Sequence, residues 1–304
     1  MNTRIVFMGS PEFAIPVLKS LNDHFHVVGV VTQPDRPAGR GKVLTPPPVK
    51  KLALELNIPY IQPQRLKNPE AMQQLHEWRP EVIVVAAFGQ ILRQAVLSLP
   101  PYGCVNVHAS LLPRWRGAAP VQSAILHGDK ETGVTIMLMD VGVDTGPILS
   151  QRSIPILPED TGGSLSHRLS LLGADLLLET LPKYLEGSIQ PQPQDESGAT
   201  YAPMLSKADG LIDCSQSAEI LARKVRAYNP SPGTYILWDN LVLKIHKAHR
   251  AGGFASPPGK RLIHQGLPAI ACAEDLLVLD EIQPAGKRAM SGDAFLRGVR
   301  TWEN

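Results

Sequence analysis

Apolar and polar positions alternate along the first half of this 304-residue chain in two different periods. Short runs rich in Val and Ile, RIVFMG (4–9), HVVGVVT (26–32), EVIVVAAFG (81–89), GCVNVHA (103–109) and GVTIMLMD (133–140), predict strands. Several are apolar on both faces, as strands buried on both sides of a parallel sheet are. Between them, SPEFAIPVLKSL places Phe13, Val17 and Leu21 four apart and predicts a helix with Ser10 at its N-cap and Pro11 in its first turn. VKKLALELN, PEAMQQLHEWR and AAPVQSAILHG continue the alternation, and a long helix at about 161–186 closes it. Strand and helix in strict turn predict an α/β domain with a doubly wound, mostly parallel sheet of Rossmann-like type.

The texture then changes. IQPQPQDESGATYAPMLSKADG (189–210) is polar, rich in proline and without period, the composition of an extended connector. After one helical stretch, SAEILARKVRAYN (217–229), the chain breaks into the short strands TYILWD, LVLKIHKAH, KRLIHQG, AIACAED and LLVLDEIQ, which predict a small β-barrel, OB-like, or a sandwich. The chain divides into an α/β domain at 1–189, a linker at 190–206 and a C-terminal β-barrel domain at 207–304.

Composition narrows the class. Hydrophobic residues at 43% and charged residues at 19% describe a globular chain with a real core. The apolar run Ile5–Met8 is too short for a secretory h-region, and no stretch approaches a membrane span. Three widely separated cysteines, Cys104, Cys214 and Cys272, argue against a disulfide framework. A cytoplasmic monomer without metal is expected. Residues 207–304 carry 13 Lys and Arg against 10 Asp and Glu, so what positive excess there is lies in the second domain. That balance permits a polyanionic partner without demanding one.

The informative chemistry sits in VNVHASLLPRWRG (105–117). Side chains two apart on a strand share a face, so Asn106 and His108 project together, roughly 6.6 Å apart. Ligands of doubly wound sheets bind beyond the carboxyl ends of the strands, and His108 lies near that edge. The strand 133–140 is expected to bring Asp140 and Asp144, in the glycine-rich VGVDTGP, to the same edge. A carboxylate facing an imidazole fixes its tautomer and favours its charged form. Of the two acids, Asp144 is assigned to chemistry and Asp140 to capping the turn. Ser110 lacks the Gly-x-Ser-x-Gly elbow of a nucleophile. The set therefore suits stabilisation of an oxyanion during attack by a nucleophile that the substrate brings.

GCVNVHASLLPRWRG together with MLMDVGVDTG (137–146) resembles the folate-dependent formyltransferases, with Asn-x-His, Ser-Leu-Leu-Pro and an Asp 36 residues after the His. TQPDRPAGRGK, PRWRGAAPVQ and QPAGKRAMSG resemble the branch that acts on methionyl-tRNA, over nearly the whole chain. The resemblance implies 10-formyltetrahydrofolate as the formyl donor and the α-amino group of methionine on initiator tRNA as the acceptor. Asn106 and protonated His108 would donate to the tetrahedral oxyanion, and Asp144 would hold His108 charged. Ser110, Leu111, Leu112 and Pro113 match the folate-binding segment, and backbone near Gln90 and Leu92 would receive the pterin. The loop QPDRPAGRGKVLTPPPVK (33–50) is far longer than the usual connection of roughly 2–6 residues. It carries Arg36, Arg40, Lys42 and Lys50 against Asp35 alone; in the family it meets the acceptor end of tRNA, with Arg40 and Lys42 as RNA contacts. Where the family has a bulky residue after Asn-Pro, this chain reads NPSPGTY (229–235).

Three other functions compete for this sequence. A formyltransferase of the same fold acting on glycinamide ribonucleotide or an amino sugar is the nearest, although GSPEFAIP after the first strand offers one glycine where a phosphate cradle wants several. A dinucleotide-dependent oxidoreductase would need Gly-x-Gly-x-x-Gly there. A non-catalytic RNA-binding protein would have no use for the Asn, His and Asp set.

Overall fold

The computed structural model describes residues 2–38, 41, 43–253, 256–299 and 301–303, and it forms two compact units. The first comprises Met1–Gly117, Thr132–Ile154 and Ser166–Tyr201; the second comprises Ala118–Glu131, Pro155–Leu165 and Ala202–Asn304.

In the first unit the strands are β1 Arg4–Gly9, β2 His26–Val31, β3 Arg36–Ala38, β4 Val43–Thr45, β5 Tyr60–Ile61, β6 Val82–Ala86, β7 Cys104–His108, the short β8 Arg116–Gly117, β9 Glu131–Leu138 and β10 Ile148–Pro155. Seven of them make one sheet in the order β10-β9-β7-β6-β1-β2-β5. β1 pairs in parallel with β2 and with β6, and the parallel run continues to β5 on one side and β7 on the other. Winding therefore reverses between β1 and β6, which is where a doubly wound sheet opens its ligand crevice. Ile5, Val6, Phe7 and Met8 have no exposed surface, so β1 is covered on both faces. Val6 and Met8 join Ile83, Val85, Leu75 and Trp78 in a core beneath helix Pro69–Trp78.

Two expectations change here. β9 runs antiparallel to β7, with His108 opposite Thr135 and Val105 opposite Leu138. Its carboxyl end therefore lies beside the amino end of β7, and the 139–147 loop does not start at the crevice edge. Ser10 is not a helix cap, because Glu12–Ala14 is a 3-10 turn and the α-helix begins at Ile15. The Ser10 hydroxyl instead accepts from the Gln33 amide (3.1 Å) and donates to the Phe88 carbonyl (3.4 Å), tying together the loops after β1, β2 and β6.

Helix Gly162–Leu185 contributes Leu169, Ala174, Leu177 and Leu181, all buried, to the first unit. A Cβ on its Gly173 would stand 2.7 Å from Val107 Cγ1, so glycine is what lets the helix lie directly on β7.

The second unit is β-rich, as expected, and is a six-stranded antiparallel sheet. After the short β11 Tyr201–Ala202 come β12 Thr234–Trp238, β13 Leu241–Ala251, β14 Arg261–His264, β15 Leu267–Ala271, β16 Leu276–Pro284 and β17 Met290–Ser291. Pairing runs β12-β13-β16-β15-β14, with β17 on β16. Ser217 caps helix Ala218–Ala227 by accepting from the Ile220 amide, and Leu221 and Val225 of that helix pack on Leu243, Ile245, Leu277 and Leu279. Trp238, Phe295 and Trp302 close the same core, with ring centroids 5.2–6.5 Å apart.

Candidate active site

β7 sorts its side chains by chemistry. Val107 faces Gly173, so Asn106 and His108 turn to the opposite face, where they are 8% and 6% exposed. Buried polar groups of this kind must find partners. Asp144 is the partner of both, reached not from the crevice edge but by the 139–147 loop folding over the face of the strand. Asn106 Nδ2 donates to Asp144 Oδ1 at 3.4 Å, and His108 Nδ1 stands 3.6 Å from Asp144 Oδ2.

His108 is engaged on its other side as well, since its Nε2 donates to the Trp115 carbonyl at 3.0 Å. The ring is therefore held between a backbone carbonyl at one nitrogen and a carboxylate at the other. Trp115 holds φ at 62° and Asp144 at 53°, left-handed conformations that cost of order 1–3 kcal/mol each in non-glycine residues. Both strained residues flank His108.

The two acids have different surroundings. Asp140 is exposed and closes a turn, accepting from the Gly142 amide (3.0 Å) and the Thr145 hydroxyl (2.7 Å). Asp144 Oδ2 also accepts from the Gly117 amide at 2.8 Å.

The 110–113 segment is a built turn. Ser110 donates its hydroxyl to the Arg114 carbonyl at 2.6 Å, so its hydrogen is committed locally. Leu112 is buried, while Leu111 and Pro113 are half-buried. Thr135, which the sequence reading passed over, holds this turn: its hydroxyl donates to the Ser110 carbonyl (2.6 Å) and accepts from the Leu112 amide (3.1 Å). Gln151 adds donors to the Leu112 carbonyl and the Thr135 hydroxyl. A polar residue inside the apolar run VTIMLM (134–139) was the signal for Thr135.

The Gln90 and Leu92 side chains are spent on structure. Gln90 bonds the Leu66 amide and the Pro63 carbonyl, and Leu92 is buried beside Phe88. Ile91 between them is 80% exposed.

A second missed set lies in the polar stretch after residue 190. Gln194 Nε2 donates to the carbonyls of Asp144 (2.8 Å) and Gly146 (2.7 Å). Its Oε1 accepts from Arg116, which is fully buried and also forms a two-pronged pair with Glu196 at 2.7 and 2.9 Å. The Glu196 hydrogen bond raises the Arg116 pKa, and Arg116 in turn holds the Glu196 carboxyl below its ordinary value.

In the 33–50 loop, β3 and β4 pair as a hairpin. Lys50 is neutralised by Asp35 at 2.7 Å, and Gln62 with Lys50 holds that carboxyl below its usual range. Arg36 is exposed, and Arg40 and Lys42 lie outside the described residues.

Residues 3–181 match the model of the formyl transferase family, and residues 204–300 match its C-terminal domain. A methionyl-tRNA formyltransferase of Roseiflexus castenholzii is 50% identical over 305 residues, covering 99% of this chain and 97% of its own. Among solved structures, the sugar 3N-formyl transferase WlaRD, determined in the presence of dTDP and 5-N-formyl-THF, superposes with a TM-score of 0.68 at 18% identity, covering 95% of this chain and 100% of its own. A variant of HypX from Aquifex aeolicus gives a TM-score of 0.67 at 17% identity over 99% of this chain, which spans about half (49%) of that longer protein.

Proposed function

The chain belongs to the formyl transferase family, and we propose that it transfers the formyl group of 10-formyltetrahydrofolate to the α-amino group of methionine on initiator methionyl-tRNA, for translation initiation. The observation that carries this reading is the convergence of an amide, an imidazole and a carboxylate in one buried corner where the neighbouring serine has no free hydroxyl hydrogen. Such a corner stabilises charge on an acyl oxygen and leaves the nucleophile to the substrate.

The residues fit a folate donor. A flat ring system is bound by apolar surface, and Ile91 after β6 with Val141 and Val143 on the Asp144 loop are 80%, 70% and 55% exposed. Ser110, Leu111, Leu112 and Pro113, with backbone around Gln90 and Leu92, would bind it. When bound, the donor supplies an activated formyl group.

The chain's own groups then have distinct tasks. Asn106 Nδ2 carries two hydrogens, of which one faces Asp144, and the other is directed at the oxygen on which charge develops. His108 sets its positive charge beside that oxygen, held by Asp144 and the Trp115 carbonyl. Asp144, through a water, carries the proton of the attacking amine toward the leaving nitrogen. On the acceptor side, Arg40 and Lys42 contact the RNA and the mildly basic second domain supports it. The enzyme works as a cytoplasmic monomer; no helix among its described residues is long and apolar enough to cross a membrane.

Acceptor choice tests the reading. Purified protein with 10-formyltetrahydrofolate is offered methionyl initiator tRNA, an amino-sugar nucleotide and glycinamide ribonucleotide. Formylation of the charged tRNA alone is expected; formylation of either small acceptor in its place would overturn it.

A further inference from the structure

The loop that carries Asp144 has few anchors of its own, because Asp140, Gly142 and Thr145 bond among themselves at its exposed end. Its ends are tied by the Met139 amide to the Cys104 carbonyl and by the Leu138 amide to the Pro147 carbonyl; between them the backbone is gripped by Gln194, whose amide donates to both the Asp144 and the Gly146 carbonyls. Gln194 is itself oriented: Arg116 Nε and Nη2 both donate to its Oε1, at 3.1 and 2.8 Å, which forces the amide nitrogen to face the loop. Arg116 is fixed in turn by Glu196 and lies one residue before Gly117, whose amide bonds the Asp144 carboxylate. The chain Glu196–Arg116–Gln194 therefore meets Asp144 from two sides, at its backbone through Gln194 and at its side chain through Gly117.

We propose that Gln194 is a positioning residue for formyl transfer, holding the Asp144 backbone in its left-handed conformation so that the carboxylate stays between Asn106, His108 and Gly117. This rests on the reading of Asp144 as the carboxylate of the formyl-transfer site. A single amide with two donors suits the task, because it bridges carbonyls two residues apart and so resists rotation of the peptide between them. A misplacement of about 1 Å at a reacting group costs up to roughly a hundredfold in rate.

The test is Gln194→Met, which keeps the length of the side chain and removes the donors, with Gln194→Glu as a second variant that remains paired to Arg116 but offers the loop only acceptors. Both are expected to lower kcat by about 10- to 100-fold while the KM for the folate donor stays within about twofold. In an Asp144→Asn background neither should cause further loss, since Gln194 acts through that carboxylate. Hydrogen exchange gives a readout free of activity: protection of the Gly117 amide should fall at least about tenfold in both variants. Unchanged Gly117 protection, or an equal loss of kcat with and without Asp144, would overturn the proposal. If Gly117 protection depends on Gln194 but the wild type formylates no methionyl-tRNA, the clamp stands and the functional reading fails.

Discussion

The Gly117 amide donates to Asp144 Oδ2 at 2.8 Å, a shorter contact than the 3.6 Å at which the same oxygen faces His108 Nδ1. The backbone fixes where the carboxylate stands, and the imidazole is then placed against it. Asp144→Asn should therefore keep the fold and much of that bond, because an amide oxygen also accepts, while removing the charge that His108 faces. Turnover should drop steeply with little change in donor binding. Asp140→Asn, at an exposed turn, should cost about 1 kcal/mol of stability and leave kcat nearly unchanged. Steady-state kinetics and thermal melts of the two variants separate the roles; a dead Asp140→Asn beside an active Asp144→Asn would reverse them.

Thr135 offers a prediction about the 110–113 turn. Thr135→Val preserves shape but leaves the buried Leu112 amide without its acceptor and the Ser110 carbonyl without its donor. A loss of roughly 1–3 kcal/mol is expected in chemical denaturation, with a raised KM for the folate donor as the 110–113 turn loosens. Wild-type stability and KM together would show that the turn does not depend on this hydroxyl.

The two substrates should differ in their response to salt. Phosphate contacts release counterions, so log affinity for tRNA should fall linearly with log salt, with a slope of about −0.7 to −0.9 per contact. The folate donor carries few charges and should respond far less. Arg40→Ala should raise the KM for tRNA and reduce its slope by about one contact or less. Equal slopes for both substrates, or an Arg40→Ala defect confined to folate, would contradict the assignment of the loop to RNA.

The cysteines should react in a definite order. Burial pushes the Cys104 thiol up to about 12, whereas a hydrogen bond with Cys272 holds Cys214 below its ordinary value and raises Cys272. Thiolate is the reacting form, so at pH 8 a mild alkylating reagent should label Cys214 first and Cys104 only on unfolding. Mass spectrometry that finds Cys104 labelled as fast as Cys214 would refute this.

Strands β1, β2, β6, β7 and β9 and the helices between them were legible because apolar period is local. Strand direction is not local: nothing in GVTIMLMD says that it will lie antiparallel to β7, and so the path by which Asp144 reaches His108 could not be read. Ser10 looked like a cap because it precedes Pro11, yet its hydroxyl was drawn to Gln33 and Phe88, 23 and 78 residues away. The polar 190–206 stretch read as a spacer because its partners, Arg116 and Asp144, are 78 and 50 residues distant from Gln194. ILSQRSIP escaped the strand criterion because β10 is mostly exposed or half-buried and carries few apolar residues. Asn106, His108 and Asp144 were legible through a compound motif, although Trp115 as the second partner of His108 was not.

The most direct measurement is single-turnover formyl transfer from 10-formyltetrahydrofolate to methionyl initiator tRNA, with wild type, Asn106→Ala and His108→Ala compared at saturating enzyme. Wild type should convert the charged tRNA to formylmethionyl-tRNA, and each variant, still folded by circular dichroism, should be slower by roughly 10²–10³-fold. A rate near that of wild type in either variant would contradict the account.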